Sequence, residues 1–227
     1  MKIFEWKYIF IFLPKLLPML PITLLIWILS VVGALILGAG FMVIREKKIP
    51  VLSQLVRVIM SIIRGFPPLT QLFVFYYGLP KLLSLVGIDV NDWAPLVFVV
   101  LAYALGQSAT VMETFRSAFA SVGKGQTEAA YSIGMTNRMA FFRVILPQAM
   151  VVALPNFSNL CISTLKNTSI AFSVGVVEIV ARANQLSGAM QHKMESYIAL
   201  AIIYYVIYLF LKKGFNVLEK KFSFEKY

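Results

Sequence analysis

Acidic residues are scarce in this sequence: 10 Asp and Glu stand against 21 Lys and Arg, and charged residues together occupy only 14% of 227 positions. A soluble domain of this length would need charged helix faces throughout, so the shortage excludes an ordinary water-soluble globule. Cysteine and histidine are each present once, as Cys161 and His192. That excludes a disulfide framework and a clustered zinc site. Cys161 lies in an apolar run and reads as a small packing residue. No GxxxxGK[ST] pattern occurs, so the chain brings no phosphate-binding loop of its own.

What fills the sequence instead is apolar: 59% of residues are hydrophobic and the mean hydropathy is +0.81. This is the composition of a membrane protein. The net charge of +11 is therefore a topological signal, because Lys and Arg accumulate in cytoplasmic loops, and it does not call for a nucleic-acid partner.

A bilayer core takes about 20 apolar residues as helix. Uncharged or nearly uncharged runs predict five transmembrane helices: Pro18 to Ile44, Gly65 to Ile88, Trp93 to Met112, Val144 to Leu165 and Ser196 to Leu211. The first is too long and too poorly terminated for a cleavable signal peptide. Asn91 or Asp92 is the expected N-cap of the third. Five spans put the termini on opposite sides. With the C-terminus cytoplasmic, segments 45–64, 113–147 and 212–227 are internal and hold most of the basic residues, which predicts an N-out, C-in topology. Lys2, Lys7 and Lys15 point the other way and suit an interfacial N-terminal helix with Trp6, Tyr8 and Phe10. Residues 49–64, "IPVLSQLVRVIMSIIR", read as an amphipathic interfacial helix leading into the second span. Asn167 to Val177 is too short to cross and is expected to be re-entrant or half-inserted.

The cytoplasmic segment 121–147 contains "EAAYSIGMTNRMAFFRVILP". Its signals describe two short helices meeting at a corner. Gln126 and Thr127 start the first, Glu128 supplies an acid in its first turn, and Gly134 stops it in the left-handed conformation. Thr136 or Asn137 caps the second, which runs into the fourth span near Pro147. A helical corner projecting from a membrane is a handle for a partner.

That string resembles the "EAA" loop of binding-protein-dependent ABC importer permeases: EAA, three residues, Gly, nine residues, Ile, one residue, Leu-Pro. Glu128, Ala129, Ala130, Gly134, Leu146 and Pro147 occupy the pattern, with Val144 in place of the Ile. The flanks resemble the polar amino-acid subfamily. "RGFPPLTQLFVFYYGLP" is similar to its RGTPLLVQLFxxYFGLP, with Phe66 for the Thr. "GKGQTEAA" is similar to PKGQWEAA, and "VILPQAMVVALPNFSNLCISTLKNTSI" to VILPQAxRxxxPxxxNxxISLxKDTSL. Asn167 stands where that subfamily has Asp, and "GQSATVMETFR" is a variant of its AYxAExxR. The resemblance covers about residues 18–213.

It implies an all-α membrane protein of the type I ABC importer permease architecture, a single transmembrane domain over residues 1–227, in the cell (cytoplasmic) membrane. Its implied partners are a second permease subunit, identical or paralogous, a cytosolic ABC ATPase dimer, an extracytoplasmic amino-acid-binding protein and membrane lipid, with no nucleic acid. The chain itself would have no catalytic residue, metal or cofactor; ATP and Mg would be bound by the partner ATPase. Glu128, Ala129, Ala130 and Gly134 would couple to that ATPase. Asn156, Asn159, Ser163, Lys166, Asn167 and Ser169, the polar interruptions of the fourth span and its continuation, are the candidate substrate pathway.

Each of these residues also has a plainer role. Lys166 lies about 33 Å along a straight helix from Val144, where a snorkelling anchor is as reasonable as a passage group. The Asn159 amide can pair between helices. Glu113 and Arg116 read as an interfacial ion pair on one helix face. Gly33, Gly38 and Gly40, with Ala34 and Ala39, read as a close helix contact. Phe73, Phe75, Tyr76, Tyr77, Tyr204, Tyr205 and Tyr208 read as lipid-facing or belt aromatics. The stretch Glu178 to Glu195 is either a docking surface or a solvated loop.

Two other classes fit less well. An intramembrane hydrolase would have Ser187, followed by Gly188, as nucleophile and His192 as base, but no nucleophile elbow surrounds them. A stand-alone secondary transporter would not need the elaborate cytoplasmic loop, and five spans with no internal repeat argue against it. Asn167 in place of Asp favours a neutral or sulphur-containing polar amino acid such as cystine over a cationic substrate.

Overall fold

In a computed structural model of the chain, which describes residues 4–224, the protein is helical, with no strand among the described residues. In chain order the helices are α1 (Trp6–Leu16), α2 (Leu20–Glu46), α3 (Leu52–Gly65), α4 (Pro68–Phe73), α5 (Leu79–Ser84), α6 (Pro95–Ser121), α7 (Lys124–Ser132), α8 (Asn137–Ala140), α9 (Leu146–Asn167), α10 (Ile179–Met190) and α11 (Lys193–Phe224). Four helical stretches are long and apolar enough to cross a membrane: Trp6–Glu46, Pro95–Ser121, Asn137–Val174 and Lys193–Phe222. A further apolar unit is a bent pair, Leu52–Gly65 with Pro68–Ser84, which turn 119° from one another, the geometry of a broken span or a re-entrant loop. Phe66, Pro67 and Pro68 account for the break: the residue before a proline is pushed out of the helical region, and Phe66 sits at φ −95°, ψ 133°. Four of the five predicted spans are thus present, each longer than expected, and the second falls on the bent pair.

The interior is built on close approach. A Cβ on Gly33 would lie 2.8 Å from Ala104 Cβ, and one on Gly38 would lie 2.6 Å from Val111 Cβ and 2.9 Å from the Ser108 carbonyl oxygen. These glycines let α2 and α6 pack backbone to backbone, as small residues do in membrane helix pairs. Gly40 faces open space and takes no part. Gly106 makes room for Gln71, whose buried amide donates to the Ala102 carbonyl at 2.6 Å. That bond fastens α4 to α6 and satisfies an otherwise costly buried amide.

Three expectations change. The N-terminal helix, expected at the interface, runs on into α2 through a 3₁₀ turn, Leu17–Met19, and its Ile9, Phe12 and Leu16 are buried with Ile179, Ala183, Ala199 and Ile203 of α10 and α11. Trp6 and Phe10 remain exposed on its other face. Residues after Asn167 are not a separate re-entrant segment. They continue α9 as a 3₁₀ helix, Thr168–Val174, which ends at Gly175 in the left-handed conformation (φ 86°) and buries Ala171 and Val174 beside Ile26, Leu72 and Val99. The N-cap of α6 is Ala94, not Asn91 or Asp92; Asp89 instead closes a local turn by accepting from the Asn91 backbone N–H at 2.9 Å.

Candidate functional site

The EAA segment is the corner that its sequence describes. The first helix, α7, is stopped by Gly134 at φ 83°, a conformation only glycine adopts without strain. The Gly134 N–H donates to the Tyr131 carbonyl at 2.9 Å, and the next N–H, of Met135, to that of Ala130 at 3.1 Å. Thr136 caps α8, its hydroxyl oxygen accepting from the Met139 N–H at 3.3 Å. A wider helical turn, Phe141–Ile145, then feeds α9 with Pro147 in its first turn. The start is earlier than predicted. α7 begins at Lys124 with Gly123 as N-cap, so Glu128 lies beyond the first turn.

The three residues of the EAA triplet divide their work. Ala130 is 3% exposed and anchors the corner, whereas Glu128 and Ala129 are exposed. The Glu128 carboxylate has no hydrogen-bond or ion-pair partner among the described residues.

The pathway residues fall into two sets. Asn156, Asn159, Ser163 and Lys166 are all exposed. Their 3-, 4- and 3-residue steps keep them within roughly 80° of one face of α9, at 3.6 residues per turn. This is a polar stripe running along a membrane span. Asn167 and Ser169 are half-buried and lie beyond it. The Asn167 carbonyl accepts from Tyr103 Oη at 2.8 Å, and the Ser169 hydroxyl donates to the Lys166 carbonyl at 2.7 Å. Pro155, inside α9, removes a backbone donor at the start of the stripe. Lys166 borders a cavity of about 290 Å³ with Tyr204, Tyr205 and Tyr208. Of the aromatics expected at the lipid, Phe73, Phe75 and Tyr76 pack inward and Tyr77 and Tyr205 stay exposed.

Two polar groupings escape a sequence reading. The first centres on Glu113. Besides Arg116, its carboxylate meets Arg64 at 3.6 Å and Arg45 at 3.9 Å, and Arg64 also donates to the Ala109 carbonyl at 3.1 Å. The expected helical pair is therefore a junction of α2, α3 and α6. Only the Glu113 to Arg116 spacing signalled it.

The second lies in the stretch 178–195, which is neither a solvated loop nor a free surface throughout. Glu178 is fully buried and caps α10, accepting from the Val180 and Ala181 N–H groups at 2.9 Å. Burial pushes its carboxyl up to about 7 against the pull of those amides. His192, 2% exposed, stacks on Tyr8 and pairs through Nδ1 with the buried Glu195 at 2.9 Å. Glu195 also accepts from the Glu5 backbone N–H at 2.9 Å, which ties α1 to α11. Ser187 is buried and donates to the Asn184 carbonyl at 3.1 Å, a packing role rather than that of a nucleophile.

Residues 46–224 match the family described as binding-protein-dependent transport system inner membrane component. The chain is 43% identical over 220 residues to the L-cystine transport system permease protein TcyL of Bacillus subtilis, covering 97% of this chain and 92% of that one. It is 39% identical to the probable amino-acid permease protein YxeN of the same organism (91% of each chain) and 36% identical to its L-cystine transport system permease protein TcyB (89% and 82%). Among solved structures it superposes on an amino acid ABC transporter chain with a TM-score of 0.83 at 29% identity, over 97% of this chain and 100% of that one. The fold is shared at greater distance with the MetNI methionine ABC transporter, at TM-score 0.67 and 16% identity over 96% and 99% of the chains. A helical corner, a polar-striped span and these likenesses agree: the chain belongs to the inner membrane component family of binding-protein-dependent transport systems, as an amino-acid ABC transporter permease.

Proposed function

We propose that the chain forms one half of the translocation pathway of an ATP-driven importer for a polar amino acid, cystine being the favoured substrate. The observation that carries this reading is the α9 stripe of Asn156, Asn159, Ser163 and Lys166, exposed on the isolated chain. Charged and amide groups are costly against lipid, at about 2.5–3.5 kcal/mol for a Lys at mid-depth, so a stripe of them faces a bundle interior or a water-filled passage. A second permease subunit completes that passage.

The chain contributes mechanics rather than hydrolysis. ATP and Mg bind to two cytosolic partner ATPases, which meet Glu128, Ala129, Ala130 and Gly134 at the corner. Their closure moves α7, and the continuous run from α8 into α9 carries that motion to the polar stripe. The corner faces the cytoplasm and the N-terminus faces outward, the orientation favoured by the basic residues of 45–64, 113–147 and 212–227. An extracytoplasmic binding protein delivers the substrate at the opposite end, near α10.

Cystine is favoured by two features: relatives named for L-cystine, and Asn167, which puts no fixed negative charge next to Lys166 to attract a cationic side chain. The test is uptake by proteoliposomes containing this chain, its copurifying ATPase and the candidate binding protein, with cystine, glutamine, glutamate, arginine and histidine compared. Uptake of cystine that requires all three components and ATP supports the reading. Uptake without ATP or binding protein overturns it, and ATP-dependent uptake of arginine alone overturns the substrate.

A further inference from the structure

A cavity of about 400 Å³ lies at the turn between α2 and α3, lined by Arg45, Lys48 and Arg57, by the neutral donors Ser53 and Gln54, and by the Ile49–Val51 turn, with no acidic side chain in its wall. Three cations around one concavity repel one another unless an anion joins them. Arg45 shares Glu113 at 3.9 Å. Lys48 and Arg57 have no ion-pair partner among the described residues, the Arg57 guanidinium donating only to Gln54 Oε1 at 3.4 Å.

The backbone is strained at the same place. Lys48 has φ 50° and Val51 φ 63°, and a β-branched residue at positive φ is a true outlier. Strain of this kind persists where surrounding structure holds it, commonly at binding sites. Here it folds the chain so that Lys48 and Arg57 line one concavity.

The setting identifies the anion's carrier. Val51, Leu55, Val58 and Ile62 are 84%, 51%, 51% and 51% exposed and form an apolar stripe along α3, while Val56, Met60 and Ile63 are buried on the other face. An amphipathic helix with such a face lies in the membrane interface. A ligand combining a phosphate for the cavity with an acyl chain for the stripe fits both halves. Because Arg45 adjoins Glu113 of α6, the cavity is at the same end of the bundle as the EAA corner.

We propose that this cavity is a binding site for the phosphodiester headgroup of an anionic phospholipid, with Arg45, Lys48 and Arg57 as its cations and the α3 stripe against an acyl chain.

The full-length chain, purified in non-ionic detergent with the subunits that accompany it, is titrated with phosphatidylglycerol and with phosphatidylcholine and followed by native mass spectrometry. Each basic side chain near an anionic lipid surface is worth about five-fold in affinity, so Lys48→Gln is expected to weaken phosphatidylglycerol binding about five-fold and the Lys48→Gln/Arg57→Gln pair about thirty-fold. Lys81→Gln, outside the cavity, is expected to leave binding unchanged, phosphatidylcholine to bind far more weakly, and millimolar glycerol phosphate not to displace the lipid. Equal binding by wild type and the double variant overturns the proposal, as does an equal loss in Lys81→Gln. Displacement by glycerol phosphate makes this a site for soluble phosphate esters and overturns the lipid assignment.

Discussion

Glu113 Oε2 lies 3.6 Å from Nη2 of Arg64, the residue just before the sharp bend between α3 and α4. The same guanidinium holds the Ala109 carbonyl, so one side chain ties the bent pair to α6 at two points. Glu113→Gln is expected to reduce ATP-driven uptake severalfold. Its effect on thermal unfolding in detergent should be small, because partly exposed ion pairs contribute about 0–1 kcal/mol. Uptake assays and melting curves on the same preparation check both halves; unchanged uptake would make the junction a bystander.

Gly134 offers a sharper lesion. At φ 83° it tolerates neither a ring locked near −65° nor the loss of the N–H that reaches Tyr131. Gly134→Pro should disrupt the corner and abolish uptake while membrane insertion persists, whereas Gly134→Ala should cost about 1 kcal/mol and retain part of the activity. Glu128→Lys, which breaks no side-chain hydrogen bond or ion pair among the described residues, should uncouple ATP hydrolysis from uptake in an assembled complex. Normal uptake by Glu128→Lys and Gly134→Pro would remove the corner from the coupling path.

The α9 stripe predicts a labelling pattern. With Cys161, which is buried, replaced by Ser, single cysteines at 156, 159 and 163 should react with a membrane-impermeant maleimide reagent in the assembled transporter. Cysteines at the buried positions 160 and 165 should react at least ten-fold more slowly, a rough expectation from their burial. Reaction without a helical period would sink the passage reading.

Glu178 predicts a dependence on pH. Its folded carboxyl titrates near 7, above the ordinary 4.5, because burial disfavours the charge. The protonated form is therefore favoured by folding. Its contribution is complete below about pH 4.5 and is lost as pH rises towards 7, by up to about 3 kcal/mol at roughly 1.4 kcal/mol per unit. Wild type should melt at a lower temperature at pH 8 than at pH 5 relative to Glu178→Gln, which cannot ionise. Parallel melting curves at the two pH values would show that Glu178 does not set this dependence.

Packing can be tested at Gly38. Any side chain there meets Val111 and the Ser108 backbone, so Gly38→Leu should destabilise the α2–α6 contact by roughly 1–3 kcal/mol through overpacking. Gly40→Leu, two residues on and facing open space, is the matched control and should leave the melting temperature nearly unchanged.

Local chemistry is what the sequence determines by itself in this protein. Apolar runs of bilayer length yield the spans, Gly134 and Thr136 yield a stop and a cap within a few residues of one another, and the 3.6-residue period gathers Asn156, Asn159, Ser163 and Lys166 on one face. Each of these follows from backbone conformation and helical period, which neighbours along the chain specify. Tertiary structure decided the rest. Whether a glycine packs or idles depends on what lies opposite, so Gly38 and Gly40 look alike in sequence and differ in the fold. Arg45 and Arg64 reach Glu113 only because three helices converge, and no spacing along one helix encodes that. The stretch 178–195 reads as a docking surface or a solvated loop because Glu178, His192 and Glu195 are polar. These three are buried because their partners, from the α10 amides to Tyr8 and the Glu5 backbone, satisfy enough of their polar groups to make burial affordable, and some of those partners lie nearly the whole chain away.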